Sequence, residues 1–240
     1  MHSLIEVRDL RFQYDDGTTA LDGVDFDLFH GETVAVFGAN GSGKTTFVLH
    51  LNGLLTGEGS VTVCGMPAKS ESLTRIRQKV GLVFQDSDNQ LFMPSVLEDV
   101  AFGPLNLGLE RDEAEARARA ALEEVGMAHA WGRAPYHLSA GEKKRVAIAG
   151  ILAMQPEILI LDEPTTFLDP QGQNALIELL DRLPQAKILV THDVGCARVL
   201  ASRAVFFEKG RITGEGSVEE VVGRFQWDRT ALKRSAASRF

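Results

Sequence analysis

Two kinds of hydrophobic pattern divide the chain. In the N-terminal part apolar and polar residues alternate, most clearly over residues 24–28 (VDFDL) and again at Ile5 and Val7, as in antiparallel strands with one buried face. Later segments are short continuous apolar runs, each followed by polar residues and then by helical sequence, which predicts buried parallel strands joined by crossover helices. These runs are residues 33–37 (TVAVF), 158–161 (ILIL) and 187–191 (KILVT).

A third pattern begins after residue 85. The sequence from 86 to about 150 is mainly helical, notably at residues 112–125, and Gly126 then stops the helix. We predict an α-helical insertion whose Ala, Glu and Arg residues form a solvated surface. The i,i+4 ion pairs expected on that surface are Glu113 with Arg117 and Glu115 with Arg119.

The C-terminal part closes with a short helix. Ser217 and Glu220 have the spacing of a capping box at the start of residues 217–225. The patterns together predict an α/β fold with a mixed, mainly parallel sheet core, an N-terminal antiparallel β subdomain and an inserted α-helical subdomain, all within residues 1–226. We expect the basic tail, residues 227–240, to be poorly ordered.

Composition limits the classes of function. The 240 residues include 44% hydrophobic residues, which is enough for a globular core, and 25 basic against 33 acidic residues give a net charge of −8. That balance offers no general attraction to nucleic acid or to anionic lipid. Cys64 and Cys196 lie far apart in the sequence and suggest neither a metal site nor a disulfide, which fits a reducing cytoplasm. We see no signal peptide and no apolar run of about 18 residues, so we expect any membrane role to belong to a partner.

A phosphate-binding motif follows the first apolar run. Residues 38–45 read GANGSGKT, which matches G-x-x-x-x-G-K-[ST], between a predicted strand and a predicted helix. Glycines let backbone N–H groups face the β-phosphate, and the helix N-terminus adds a positive dipole. Lys44 would bind the β- and γ-phosphates, and the Thr45 hydroxyl would bind Mg²⁺. The nucleotide contacts predicted here are Gly38, Ala39, Asn40, Gly41, Ser42, Gly43, Lys44, Thr45 and Thr46.

Two acidic residues end the second apolar run. Asp162 and Glu163 come directly after the strand ILIL, at the edge of the sheet where open α/β folds bind their ligands. We predict that Asp162 holds Mg²⁺, directly or through water. Glu163 points the other way and can polarise the attacking water. The sequence therefore predicts a P-loop NTPase that uses a nucleoside triphosphate with Mg²⁺.

The segment LSAGE, residues 138–142, precedes the acidic strand. Ser139 and Glu142 form a capping box for the following helix, and a helix N-terminus is also an anion site. Here the sequence resembles the ABC ATPase family, whose motif usually reads LSGGQ. In that family the serine and second glycine, here Ser139 and Gly141, contact the γ-phosphate of ATP bound to the opposite subunit. This chain departs from the motif at Ala140 and Glu142.

The resemblance extends over about residues 4–225 and implies further roles. Tyr14, beside a turn signal, matches the aromatic residue that stacks on adenine. Gln85 matches the glutamine that touches Mg²⁺ or water and links the helical insertion to the core. His192 matches the switch histidine that contacts the γ-phosphate.

The resemblance also implies a dimer with shared active sites. Two ATP molecules would lie between each P-loop and the signature of a second copy or a homologous ATPase, and hydrolysis at Glu163 would release these contacts. Asp169 matches the D-loop of the family, although Thr166 and Phe167 replace its usual serine and small residue.

The helical insertion resembles that of energy-coupling-factor importers, especially the cobalt and nickel branch. The similarity lies in residues 86–109 and 143–154, and Gln90 falls at the extra glutamine of that branch. It implies a peripheral subunit on the cytoplasmic face of the membrane that couples to a transmembrane protein, while another membrane protein captures the substrate. Cobalt, nickel, biotin or another vitamin remain open as substrates.

Two other classes of P-loop protein fit the sequence less well. A soluble ABC ATPase of DNA repair or translation usually carries long coiled coils, zinc insertions or two cassettes; none is visible here, and the acidic balance argues against a nucleic-acid partner. An adenylate-kinase-like enzyme would not account for LSAGE, Gln85 and His192. Recovery of a hydrophobic membrane partner or of nucleic acid would discriminate between the transporter and its rival.

Overall fold

The N-terminal part forms a small antiparallel sheet. The structure is a computed structural model that describes residues 3–228. Its first sheet has the strand order β2-β1-β4-β5, and the neighbouring strands are antiparallel. The predicted N-terminal β subdomain is therefore confirmed. The strands are β1 (Ser3–Gln13), β2 (Thr19–Phe29), β4 (Glu58–Val63) and β5 (Met66–Pro67).

The second sheet is the core of the molecule. Its order is β10-β9-β3-β8-β7-β6, parallel from β9 to β6, with β10 antiparallel at the edge. Every residue of β3, β7 and β8 is buried, because helices or the other sheet cover both faces. All three predicted parallel strands are confirmed. The strands are β3 (Thr33–Gly38), β6 (Val80–Val83), β7 (Ile158–Asp162), β8 (Ala186–Val190), β9 (Arg203–Glu208) and β10 (Arg211–Gly216).

Helices connect the parallel strands and build the insertion. Between β6 and β7 the chain forms three α-helices that pack on one another, which confirms the predicted α-helical insertion. No helix within residues 3–228 has the length and apolar character to cross a membrane. The helices are α1 (Lys44–Leu51), α2 (Leu73–Lys79), α3 (Val96–Asn106), α4 (Arg111–Glu124), α5 (Ala140–Leu152), α6 (Pro170–Arg182), α7 (Val194–Leu200) and α8 (Val218–Arg224).

One of the two ion pairs predicted on α4 is wrong. Arg117 binds Glu113 at 2.7 Å as expected, but Glu115 binds Arg111 at 3.0 Å. The guanidinium carbon of Arg119 lies 3.6 Å from the ring centroid of Trp131. A cation stacked on an indole is stabilised by the ring quadrupole, so the tertiary contact replaces the helical pair.

The C-terminal boundary also differs from the prediction. The capping box at Ser217 and Glu220 is present at the start of α8. Trp227, expected to begin a poorly ordered tail, instead packs against the core, and Asp228 forms an ion pair with Arg198 at 3.1 Å. The folded part thus continues at least two residues further than predicted, because an indole ring gains from burial. The rest of the expected tail, residues 229–240, lies outside the described residues.

Candidate active site

The glycine loop, which belongs to the motif at residues 38–45, joins β3 to α1 in a tight turn with positive φ angles. Gly38 and Gly43 have φ angles of +144° and +106°. A Cβ atom on Gly38 would lie 2.3 Å from the carbonyl oxygen of Phe207, and one on Gly43 would lie 2.4 Å from that of Ala20. Only glycine fits such positions, since a side chain would clash with fixed backbone.

Lys44 lies beneath this loop. Its Nζ donates to the carbonyl oxygens of Gly38 at 2.6 Å and of Ala39 at 2.9 Å. The side chain is buried, and burial lowers the pKa of its ammonium group, while the carboxylates of Glu163 and Asp162 oppose that shift. The loop carbonyls thus hold a buried cation beside the two acidic residues.

Asp162 ends β7 beside the first turn of α1. The hydroxyl of Thr45 lies 3.4 Å from Oδ2 of Asp162, at the long end of hydrogen bonding. Burial raises the pKa of Asp162, and Thr45, Lys44 and Lys144 act in the opposite direction. A buried carboxylate beside a hydroxyl is a donor set that suits a hard divalent cation.

Glu163 and His192 face each other at the carboxyl ends of β7 and β8. Oε1 of Glu163 is buried, has no hydrogen-bond partner among residues 3–228 and lies 3.3 Å from Nε2 of His192. Burial, as the largest effect, raises the pKa of Glu163, and the charge of Asp162 adds to it. Glu163 also has a φ angle of +46°, which is uncommon for a residue other than glycine. Strained backbone with a shifted carboxyl pKa is frequent at functional sites.

The imidazole of His192 bridges this carboxyl group and the glycine loop. Its Nε2 lies 3.1 Å from Oδ1 of Asn40, and its backbone N–H donates to Oε2 of Glu163 at 3.3 Å. Burial and the nearby ammonium group of Lys44 lower the pKa of His192. The neutral imidazole is therefore favoured, with one nitrogen available as a donor.

Tyr14 stands at the outer end of the same site. The residue is 41% exposed, its ring packs edge-on against Phe12, and its hydroxyl lies 2.9 Å from Oγ1 of Thr46. The exposed ring face is free to stack on a planar ligand.

A single cavity of about 400 Å³ collects these groups. Most of the predicted nucleotide and metal residues line it, together with Thr18, Thr19 and Ala20, which the sequence analysis missed. These three residues follow the turn at Asp16 and Gly17. The predicted antiparallel pairing of the strands on either side of this turn could have placed them beside Tyr14. The predicted residues on its wall are Tyr14, Asn40, Gly41, Gly43, Lys44, Thr45, Thr46, Gln85, Asp162, Glu163 and His192.

The LSAGE segment forms the N-terminus of α5. The predicted capping box is present: the Ser139 hydroxyl accepts from the Glu142 N–H at 3.3 Å, and the Ser139 N–H donates to Oε2 of Glu142 at 2.8 Å. Hydrogen bonds from Ser139 lower the pKa of Glu142, and Arg133 lies 3.3 Å from its Oε1. None of residues 139–142 lines the cavity of the same described chain.

Asp169 caps α6 and accepts from the Gly172 N–H at 2.7 Å. Phe167, two residues earlier, is 74% exposed with a φ angle of +67°. An aromatic side chain in this conformation is unusual and costs backbone strain.

Comparison with known proteins agrees with this geometry. The family model described as ABC transporter matches residues 21–166. The energy-coupling factor transporter ATP-binding protein EcfA of Methanothermobacter thermautotrophicus is 51% identical over 224 residues, which cover 91% of this chain and 72% of that protein. The chain belongs to the ABC transporter ATP-binding family.

Solved structures of ABC ATPases have the same fold. The structure of cbiO1 from Clostridium perfringens, described as part of the ABC transporter complex cbiONQ, has a TM-score of 0.84 and 36% identity, and the match covers 100% of this chain and 96% of that one. A dimeric post-hydrolysis state of the ATP-binding cassette MJ0796 with bound ADP and Pi has a TM-score of 0.80 and 29% identity, covering 89% and 98%. Membership of the ABC family implies ATP hydrolysis.

In this ABC ATPase, Gln85 and Gln90 lie in different places. Gln85 lies on the cavity wall beyond the end of β6. Gln90 instead folds back on that strand end: its Oε1 accepts from the Phe84 N–H at 2.9 Å, and its Nε2 donates to the Leu82 carbonyl at 3.2 Å. Gln90 therefore contributes to the packing of the insertion on the core.

Lys144, in α5, connects the insertion to the same strand end. Its Nζ donates to the carbonyl oxygens of Phe84 at 3.1 Å and of Gln85 at 2.7 Å. Burial lowers the pKa of Lys144 to about 8. The sequence analysis missed this contact because a single lysine in a basic helix gives no signal of burial.

Proposed function

We propose that this chain is the ATP-hydrolysing subunit of an energy-coupling-factor importer and works as a dimer around two Mg²⁺-bound ATP molecules. One observation carries the proposal: the cavity collects Lys44, Asp162, Glu163 and His192, whereas the helix tip at Ser139 of the same described chain lies outside it. The residues suited to phosphate and to Mg²⁺ thus line the cavity, whereas the signature residues do not. We infer that a second subunit supplies the signature residues.

Each residue of the cavity has a proposed role. The loop at residues 38–45 binds the phosphates through backbone N–H groups, and Lys44 turns its ammonium group from the loop carbonyls toward the β- and γ-phosphates. Tyr14 stacks on adenine. Mg²⁺ bound by Thr45, Asp162 and Gln85 would neutralise the developing phosphate charge.

Glu163 is proposed as the general base. Burial raises the pKa of its carboxyl group toward the pH at which the enzyme works. A general base is most effective when its pKa lies near that pH. His192 is proposed to donate from its imidazole to the γ-phosphate. Its Nε2 is already aimed at Asn40 of the loop and at Glu163.

Removal of the metal tests the metal site. Excess EDTA is expected to abolish ATP hydrolysis. Asp162→Asn is expected to raise the Mg²⁺ concentration for half-maximal activity by at least about tenfold, because a carboxylate ligand is lost. Asp181→Asn, at an exposed position of α6 that is not part of the cavity wall, is the control. Full activity in EDTA, or an unchanged Mg²⁺ requirement in Asp162→Asn, would exclude this assignment.

The dimer is proposed to be two-fold and to share its active sites. Ser139, Ala140, Gly141 and Glu142 of one subunit would face the γ-phosphate held by the other, with Asp169 at the same interface. The dimeric, nucleotide-bound state of MJ0796 supports this arrangement. Shifting an open–closed equilibrium from 1:99 to 99:1 takes about 5.5 kcal/mol of differential affinity. Two ATP molecules with several charge-assisted bonds each can supply that energy.

A groove in the helical insertion is proposed as the docking site of the transmembrane partner. It has a volume of about 540 Å³ between α3 and α5, and Phe92 and Phe102 pack edge-on at its rim, 63% and 37% exposed. Exposed aromatic residues around an apolar groove indicate a protein interface. The description of cbiO1 as part of the complex cbiONQ supports such an assembly.

In this proposal the subunit works at the cytoplasmic face of the membrane. A separate membrane protein is proposed to capture the substrate, and the resemblance of residues 86–109 to the cobalt and nickel branch favours those metals. A vitamin importer, for example for biotin, is the alternative.

Co-purification from membranes tests the transporter assignment. The tagged chain is expected to recover a hydrophobic partner, and Phe92→Asp with Phe102→Asp is expected to lose it, because carboxylates at the rim would be desolvated against the apolar surface of that partner. Leu54→Asp, a matched change at an exposed apolar residue outside the groove, should retain it. Recovery of nucleic acid without a membrane protein would favour the rival class.

A further inference from the structure

Trp227 covers one face of the imidazole of His192. The two ring centroids lie 5.5 Å apart at an interplanar angle of 26°, which is a stacked arrangement. The indole comes from the segment after α8, whereas His192 follows β8. The C-terminal part of the described chain thus reaches the edge of the candidate active site.

The indole is itself held firmly by the core. Its ring packs edge-on against Phe206 of β9 at 5.2 Å and 82°, and its backbone N–H donates to the carbonyl of Val222 at 3.0 Å. The next residue, Asp228, pairs with Arg198 of α7. Strand β9 is the parallel neighbour of β3, which leads into the glycine loop. The same framework therefore supports both the loop and the indole.

Without the indole, little in the described part of the chain would fix the imidazole. Its side chain is 42% exposed, and two polar neighbours, Oδ1 of Asn40 and Oε1 of Glu163, both face Nε2. The torsion at the ring of a histidine is broad, so a contact at one edge leaves the plane of the ring free to turn. A flat ring against one face restricts that rotation and keeps Nε2 directed toward Asn40 and Glu163.

We propose that Trp227 is a positioning residue for ATP hydrolysis and that it acts by holding the imidazole of His192 in plane. This inference rests on the proposed role of His192 at the γ-phosphate. It links the segment after α8 to the rate of hydrolysis, because displacing that segment would release the ring.

Steady-state kinetics of the purified full-length chain with Mg²⁺ and ATP test the proposal. Trp227→Leu is expected to lower kcat about fivefold, because a poorly oriented donor loses part of its effect. KM for ATP should change less than about twofold. Trp227→Phe keeps an aromatic face and is expected to restore kcat to within about twofold of the wild type. Trp131→Leu, at a tryptophan of the insertion, is the matched control and should leave kcat unchanged.

A double-mutant cycle separates this proposal from the proposed function. In a His192→Ala background Trp227→Leu should have no further effect on kcat, because the residue acts through the ring that has been removed. If Trp227→Leu lowers kcat equally in the wild-type and His192→Ala backgrounds, the positioning role of Trp227 is overturned, but the proposed role of His192 is not. Full activity of His192→Ala would instead overturn the proposed role of His192. A rise in kcat in Trp227→Leu would mean that the indole inhibits, and would also overturn the proposal.

Proton NMR of the nucleotide-free wild type provides a readout that does not depend on a stable variant. The imidazole protons of His192, assigned with the His192→Ala variant, are expected to show contacts to the indole protons and to be shifted upfield by its ring current. In Trp227→Phe a smaller upfield shift should remain. Absence of both signals in the wild type would overturn the contact and with it the proposal.

Discussion

Glu163→Gln is expected to lower ATP hydrolysis by about 10²- to 10⁴-fold, the usual contribution of a general base, and to trap an ATP-bound dimer. The amide keeps the shape of the side chain and can still accept the hydrogen bond from the N–H of His192. It cannot take a proton from water. ATP bound between two subunits would therefore persist, and size-exclusion chromatography with ATP should show a dimer where the nucleotide-free variant elutes as a monomer.

A matched control exists at the other end of the same strand. Glu157 precedes β7 and pairs with Lys79, so Glu157→Gln removes a carboxylate next to the strand without touching the cavity. It should hydrolyse ATP normally and form no stable dimer. If Glu163→Gln elutes only as a monomer in the presence of ATP, the shared-site mechanism is wrong for a homodimer of this chain.

Lys44→Ala is expected to weaken ATP binding at least about 100-fold, because hydrogen bonds from a charged donor to phosphate contribute roughly 1.5–3 kcal/mol each. The variant also leaves the carbonyls of Gly38 and Ala39 without the donor that supports the loop. Equilibrium titration with a fluorescent ATP analogue would measure the loss directly.

Lys187 provides an unusually close control for this variant. It too is buried and donates to two carbonyl oxygens, those of Leu183 and Gln185, but it lies at the start of β8, outside the cavity. Lys187→Ala should lower the free energy of unfolding and leave ATP affinity unchanged. Retained ATP affinity in Lys44→Ala would argue against the assignment of the P-loop.

Much of the candidate site could be predicted from the sequence because its determinants are local. In the glycine loop, a strand, a turn that only glycine can adopt and a helix N-terminus are consecutive in the chain, so the motif at residues 38–45 carries its own geometry. Asp162 and Glu163 are similarly placed by the strand they end. Capping boxes at Ser139 and Ser217 span only three residues and appear as expected.

Contacts between distant segments could not be predicted in this way. Glu115 has an arginine four residues away on each side, and only the position of Trp131 determined which of them it pairs with. From the sequence alone, Lys144 would be a surface lysine. Its burial follows only from the packing of α5 against the end of β6.

The sequence by itself determined the α/β class, the phosphate loop and the family of the chain. It also showed that Asp162, Glu163 and His192 each follow a short apolar run. All of these features depend on residue type at short spacing. The tertiary structure alone decided which groups share the cavity, that Ser139 lies outside it and that Trp227 stacks on His192. Periodicity and motif spacing specify local backbone geometry. The distance between two side chains far apart in the chain depends on how whole strands and helices pack.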